Sequence, residues 1–553
     1  MRARWILGLL LLLCGTAARA NVSLKNGNFF IGYTDVVYSG GFEPKIERVY
    51  NSKTPFKGIF GWGWGCEFEV TLVTLPSGLI VANEYGGGAE NVFAPAQMNA
   101  DLVEKDVVAI TAAAVESNTV GPGPELDAYR VRLRTDLGFR LDEWNRFQKL
   151  QLVRAPSLPI GTVVWSQRFS FQYITRTRGG YVRAREGREE HFDAATGKLL
   201  RVVDRNNNFV ALTYGPSGRL DRIVDNDGRF MKISSNIRGF VERIDDDRGR
   251  SATYEYNDVD ELVRSRDVDG NAYAYEYDRR HNMQTIRYDD KTTMEMVYAG
   301  RDLHENIKEV KDRDNSRTSY DYVVDPKDRG HYKIAVDVRG ADGRAISKSV
   351  YEYFIKHDER GSEYTARMIT DLDGDVTDTT YQRDGGLPVV ITHGGETTRF
   401  AYDERGHVTR KETPTELTEL TYDPQVDKVS QVKLQRKGSS ERDDSRFEYD
   451  PKGNLRRAED SHGHSVRLEY DEHGRISTMT NQENKRLEFT YNRQSKPEEI
   501  RLVSVGSIKV AYNADGEIKK VESPEGRTVS LAVTTLFQEL LDIIRPAGVS
   551  LSF

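Results

Sequence analysis

Tyr254-Glu-Tyr256-Asn, Ala272-Tyr273-Ala-Tyr275-Glu-Tyr277-Asp and Met296-Val-Tyr298-Ala are three passages of one pattern. Tyr256, Tyr277 and Tyr298 stand 21 residues apart, and the same step runs back through Ser235 to Tyr214. Tyrosines separated by single residues put their rings on one face of a strand, because side chains alternate with period two. A fixed period of this length marks a repeat architecture, each unit being one supersecondary element stacked on its neighbours. The chain reads as a tyrosine-anchored, strand-forming array.

Outward from that stretch the unit is Tyr, a short polar spacer, Gly, one residue, then Leu or Ile. It recurs as Tyr402-Asp-Glu-Arg-Gly406, Tyr449-Asp-Pro-Lys-Gly453-Asn-Leu455, Tyr470-Asp-Glu-His-Gly474-Arg-Ile476 and Tyr512-Asn-Ala-Asp-Gly516-Glu-Ile518. Asp or Asn bonds the backbone two residues on, and Gly supplies the positive φ of a turn. A second turn falls at Asp227-Gly228, Asp269-Gly270, Asp373-Gly374 and His462-Gly463. The phase slips between Tyr298 and Tyr381 and between Tyr422 and Tyr449, which predicts loop insertions there. Two strands per unit give on the order of 30 strands, well beyond the roughly ten of an open twisted sheet. The predicted fold is all-β: hairpins coiled into a spiral, wide barrel or shell.

The flanks divide the rest. Residues 1–20 read as a signal peptide: Arg2 and Arg4, an apolar run from Trp5 to Cys14, then Ala18-Arg19-Ala20. No other run approaches a membrane span, so the mature chain is expected to be exported and without one. Residues 21–95 form an amino-terminal β region, in which Phe60-Gly-Trp62-Gly-Trp64-Gly-Cys66-Glu-Phe68-Glu-Val70 alternates as a half-buried strand. Its glycines leave one face bare for a backbone or ring to approach. Residues 96–190 are expected to be less regular β, broken at Gly121-Pro122-Gly123-Pro124. The array is assigned to 191–527. Residues 528–553 carry a capping amphipathic helix over 534–545, on Leu536, Phe537, Leu540, Leu541 and Ile544. That cap is expected to cover the last strand edge.

Composition suits sheets with one wet face: 30% charged, 38% hydrophobic and 28 tyrosines. A spread net charge of −7 argues against a nucleic-acid partner. Once Cys14 leaves with the signal, Cys66 cannot form an intramolecular disulfide and reads as a small core residue.

The Tyr-Asp-x-x-Gly-Arg-Leu unit resembles the YD repeat of bacterial RHS proteins and of teneurins. The leader resembles the RHS amino-terminal region through Arg48-Val-Tyr50-Asn-Ser52 and Phe60-Gly-Trp62-Gly-Trp64, and Gly179-Gly180-Tyr181 with Phe192-Asp-Ala-Ala-Thr-Gly197 matches the entry into its first repeats. The resemblance implies a YD shell, which in larger relatives encloses a toxic carboxy-terminal domain or carries adhesion domains. About 30 residues follow the last clear unit, and the Asp450-Pro451-Lys-Gly453 stretch lies inside an ordinary repeat. A short form is therefore expected, with neither an enclosed toxin domain of its own nor a self-cleaving core.

Motifs for chemistry are sparse, and no catalytic, cofactor or metal residues are assigned. His462-Gly-His464, with His473 near, sits at a repeat turn. Asp371-Leu-Asp373-Gly-Asp375 and Asp267-Val-Asp269-Gly-Asn271 miss the EF-hand template at Val376 and Ala272, and turn chemistry explains them first. The expected function is a non-enzymatic exported scaffold or binding protein, periplasmic, cell-surface or secreted, with a protein or glycan partner. The alternative is a shell in a toxin-delivery system holding cargo from a separate chain. The phase-breaking insertions between Tyr298 and Tyr381 are the first place to look for binding.

Overall fold

The computed structural model describes residues 19–545 except 39–41, 43, 86–88, 170, 186, 301–305, 358–362, 441, 493 and 514–516. The expected signal peptide lies outside the described residues apart from Arg19 and Ala20, which open the strand Arg19–Ser23. Thirty-six strands form one antiparallel sheet in sequence order, from Thr71–Thr74 to Ile518–Glu522. No ladder among the described residues joins the last strand to the first, so the sheet is open. At the first strand, Thr71 bridges Lys198 and Leu72 N donates to the Gly197 carbonyl at 2.8 Å.

The unit is built by three local devices. At each anchor tyrosine the ladder slips by one residue, as between Glu469 and Tyr470, a bulge that turns the strand into the loop. The following Asp or Asn closes that loop: Asp450 Oδ1 accepts from Lys452 N (2.8 Å) and Asn454 N (2.9 Å), with Gly453 at φ 84°. The phenol then reaches back to the preceding unit. Tyr470 OH donates to Leu455 O at 2.8 Å, Tyr491 OH to Ile476 O at 2.8 Å and Tyr256 OH to Val241 O at 2.7 Å. The second turn uses the same chemistry two residues earlier than its Asp-Gly pair, since Asp225 Oδ1 accepts from Asp227 N and Arg229 N.

The sheet coils until distant turns meet. Asn206 and Asn454 exchange side-chain amide hydrogen bonds at 3.0 and 3.1 Å across 248 residues, and Asn208 Nδ2 donates to His473 O at 2.9 Å. Inside the coil sits the leader, a four-stranded sheet of Arg19–Ser23, Asn28–Val37, Lys45–Asn51 and Trp64–Cys66. Phe29, Ile31, Tyr50, Phe60 and Trp64 share one core with array residues from Leu199 to Ile307. One small body touching so many strands on one side makes that side concave.

Several expectations are corrected. The segment 96–190, expected as less regular β, holds helices α1 (Ala100–Glu116), α2 (Pro124–Thr135) and α3 (Leu137–Lys149) before strands resume at Val163–Ser166. Val103, Val107, Ile110 and Ala114 recur at helical spacing, and Asn99 caps α1 through Leu102 N at 3.0 Å. The Gly-Pro break joins α1 to α2, with Pro124 in the first turn. The helices pack on Leu75, Leu79, Val81 and Ala94, so Ile80–Glu84 is covered by the leader on one face and the helices on the other.

Phe60 to Val70 is not one strand. Gly61 and Gly63 take φ 88° and 73°, which divides it into Gly61–Trp62, Trp64–Cys66 and a 3-10 turn at Glu67–Glu69. The close approach expected at its glycines is present: a Cβ on Gly65 would lie 1.9 Å from the Tyr85 carbonyl oxygen. The phase slip after Tyr298 comes chiefly from longer strands rather than loops, such as Ala345–His357 of 13 residues and Glu363–Leu372 of 10. The terminal helix, α4 (Arg527–Ile544), starts seven residues before the expected 534 because Gly526 admits φ 93° at its cap. It lies across the concave face on Leu455, Val466, Leu468 and Leu487, and the edge strand Ile518–Glu522 stays exposed.

Candidate binding surface

The concave face has three stretches, and among the described residues only the outer two are covered. The first is seated on a buried ion pair. Arg48 Nε donates to Asp35 Oδ2, and Arg48 Nη2 reaches Asp35 Oδ1 at 2.9 Å and Ser265 Oγ at 3.0 Å. Tyr254 OH donates to Asp35 Oδ2 at 2.8 Å, and Trp64 lies under the guanidinium at 4.7 Å. Burial opposes the charge on Arg48, but Asp35 outweighs it and holds the guanidinium above its ordinary range. Burial also pushes the Tyr254, Tyr256 and Tyr277 phenols well up. These rings are packed structure, as the 21-residue phase implies.

Beside this seat, Glu69 accepts from Ile59 N (2.7 Å) and Cys66 N (3.0 Å), and burial raises its carboxyl to about 7. Cys66 is buried, which pushes its thiol up too. The two tryptophans do not form a platform: Trp64 is buried and donates to Tyr277 OH at 2.9 Å, while Trp62 stacks on His281 at 4.5 Å.

The third stretch lies under α4, whose Val533, Leu536, Leu540 and Ile544 are buried on it. The middle stretch is different. Between Tyr353 and Thr418 only Thr379 is buried among the described residues. Five strands make up this region: Glu363–Leu372, Asp375–Tyr381, Pro388–His393, Glu396–Tyr402 and Val408–Glu412. Their ladders set Met368 opposite Thr379, Thr379 opposite Ile391, and Ile391 opposite Thr398. Period two then puts Met368, Thr379, Ile391, Thr398 and Phe400 on the concave side with anchor Tyr402. Charged pairs such as Arg367–Asp378 occupy the other side. The concave surface is thus a half-exposed bed of hydroxyls, methyls and aromatic rings, Phe400 and Tyr402 among them. The strands between Tyr298 and Tyr381 supply its first part, and it extends on to Glu412.

The histidines expected at turns are there. His464 Nδ1 bonds Asp460 Oδ2 at 2.8 Å, and His462 and His464 are exposed. No group of three or more His, Cys, Asp or Glu suited to a metal occurs among the described residues. Asp267 closes its turn by accepting from Asp269 N and Asn271 N, and Asp371 accepts from Gly374 N at 2.8 Å. No described helix is long and apolar enough to cross a membrane.

Comparison with known proteins agrees with the repeat. A family model for the Teneurin YD-shell matches residues 461–548, and one described as a domain of unknown function (DUF6531) matches residues 20–89. No curated protein matches the sequence. Among solved structures, a TcdB2–TccC3–TEV crystal structure is 11% identical at TM-score 0.44, covering 98% of this chain and 29% of that one. The Tc holotoxin pore of Photorhabdus luminescens is 12% identical at TM-score 0.37, covering 89% and 29%. A porin-like protein from Bacteroides uniformis is 10% identical at TM-score 0.14, covering 51% and 98%. This chain therefore spans under a third of the Tc chains it resembles. The 21-residue array thus lies between two matched ends, and its carboxy-terminal units are those that match the Teneurin YD-shell model.

Proposed function

We propose that the protein is an exported, non-enzymatic shell scaffold that binds a partner on its middle concave stretch. The observation that carries this is the single-layer sheet from 354 to 417, where only Thr379 is buried among the described residues. Alternating apolar positions left half bare in a sheet filled on either side mark a surface made to be covered. Hydroxyls between methyl groups suit a polypeptide or a glycan and offer no base-reading or phosphate-clamping geometry. The leader sequence, Arg2 and Arg4 before an apolar run and Ala18-Arg19-Ala20, supports export to the periplasm, the surface or the medium.

The second reading is a shell that holds cargo made as a separate chain. It is favoured by the bare stretch lying on the side that the coil encloses, continuous with the seats of the leader and of α4.

Photo-crosslinking amino acids at Phe400 and Ile391, on the concave side, and at Arg399, on the other, test both readings in the producing cell. A discrete adduct at 400 and 391 but not at 399 is expected, in protein whose amino terminus is Asn21 and which lies outside the cytoplasm. Equal labelling on both sides, or an uncleaved cytoplasmic chain, overturns the proposal.

A further inference from the structure

The seat of α4 shows what this concave face is built to hold. Beneath the helix one row of side chains crosses the strands: Leu468 lies opposite Met479, Met479 opposite Leu487 and Leu487 opposite Leu502. All four are buried, in one core with Val533, Leu536, Leu540 and Ile544 of α4. Those helix residues step by three or four. Neighbouring strands lie about 4.8 Å apart, and three residues of helix rise about 4.5 Å. A helix running across the strands therefore brings about one residue per turn to each strand. The course of α4 follows from its contacts. Val529 adjoins Gly506, Phe537 lies 6.0 Å from Phe489, and Ile543 lines a cleft with Asp443, Asp460 and Asn481. The helix runs back along the array, toward the bare stretch.

The bare stretch carries a row of the same kind, with no described helix on it. Tyr353 lies opposite Met368, Met368 opposite Thr379, Thr379 opposite Ile391 and Ile391 opposite Thr398. No member of the row is charged, and Met368, Ile391 and Thr398 are half-exposed. Beside it runs a more polar row of Tyr351, Thr370, Thr377 and His393. Each of these strands is laddered on both sides, so an occupant has no strand edge to extend and must engage side chains alone. Thr379 and Thr398 stand in a row that under α4 is all leucine and methionine. The bed is lower here, and the occupant has to supply the bulk.

Resting on the reading of this stretch as a binding surface, we propose that its occupant is an amphipathic helix of a separate polypeptide, laid across the strands in the trough that α4 also uses. The helix brings one large apolar side chain per turn, at steps of three and four, to the row from Tyr353 to Thr398. Polar residues on its flank meet the hydroxyls of Tyr351, Thr370 and Thr377. The row is four strand spacings long, about 19 Å, which calls for roughly 13 residues of helix.

The test places photo-crosslinking amino acids singly at positions 368, 391 and 398 of the full-length chain in the producing cell. The attached partner peptides are then sequenced by mass spectrometry. Positions 391 and 398 are one strand spacing apart, and 368 and 391 are two. A helix is expected to be labelled at residues three or four apart by the first pair and about seven apart by the second. An extended chain crossing the strands would be labelled at residues only about one or two apart for each spacing. That short step, labels scattered over separate segments of the partner, or attachment to a glycan overturns the helix while leaving the stretch a binding surface. No adduct at any of the three positions, or adducts only within the chain itself, overturns both.

Discussion

Tyr470 donates its phenol hydroxyl to the backbone carbonyl of Leu455, 15 residues earlier, at 2.8 Å. The equivalent bond recurs at Tyr214, Tyr256, Tyr277, Tyr402, Tyr422, Tyr449, Tyr491 and Tyr512. The tyrosine of the repeat is thus a latch between successive units, and its ring is the packing that carries the latch.

Removing one latch hydroxyl is expected to weaken the array by about 1 kcal/mol, the ordinary net value of such a bond. Tyr470→Phe serves as the variant, read by chemical denaturation. The control is Tyr322→Phe, because the Tyr322 hydroxyl is buried without a hydrogen-bond partner. That change is expected to be neutral or slightly stabilising. If the two variants lose the same stability, the latch is not an energetic feature.

Arg48→Met is expected to cost about 3–5 kcal/mol by leaving Asp35 charged and buried. Arg48→Met with Asp35→Leu is expected to recover a substantial part of the loss. Thermal unfolding of the two variants and the parent checks the order. A double variant no more stable than the single one would show that the pair does more than satisfy itself.

Glycines divide into those that need their conformation and those that also need the space. Gly197 has φ 68°, and a Cβ there would lie 2.0 Å from the Leu72 carbonyl oxygen, whereas Gly228 has φ 81° with nothing near. Gly228→Ala is expected to cost about 1–2 kcal/mol for the left-handed backbone alone. Gly197→Ala is expected to cost more, because it also separates Leu72 N from the Gly197 carbonyl. Denaturation midpoints of the two variants decide.

The pH dependence of stability is expected to carry the mark of Glu69. Its folded value of about 7 lies above that of an unfolded glutamate, so between roughly pH 4.5 and 7 the folded state holds more protons. Stability from this group is present in full below the unfolded value and is lost as pH rises through about 7, by on the order of 1–3 kcal/mol. Glu69→Gln is expected to flatten that decline, whatever it does to the absolute level. Unchanged slopes between pH 5 and 8 would reject the assignment.

Much of this fold is written locally and was legible for that reason. The bulge, the Asp-closed loop and the latch all act within one or two units, so the spacing of Tyr, Asp and Gly carries them. The array was read as strands and turns, and Tyr254 to Tyr298 as packed structure. The helices α1 to α3 were missed although Val103, Val107, Ile110 and Ala114 carry a helical period, because the alternation on both sides dominated the reading. The Arg48–Asp35 pair was not legible, since its further partners Tyr254, Ser265 and Tyr275 lie over 200 residues away. The bare stretch did leave a trace. Its concave positions include the threonines Thr370, Thr377, Thr379 and Thr398, where other units carry larger apolar side chains such as Leu212, Met296, Leu468 and Leu487.

The seating of the leader also fixes an order of events. Hairpins of the array close over a dozen residues or so and can form as they emerge, because local contacts have little loop entropy to overcome. The strands Asn28–Val37 and Lys45–Asn51 are made first, yet Arg48 meets Tyr275 only 227 residues later. Throughout synthesis of the intervening chain, Phe29, Ile31 and Tyr50 have no concave surface to enter. The nascent protein therefore carries an adhesive segment until those later strands are made, and a holding chaperone acting on it would protect it from aggregation.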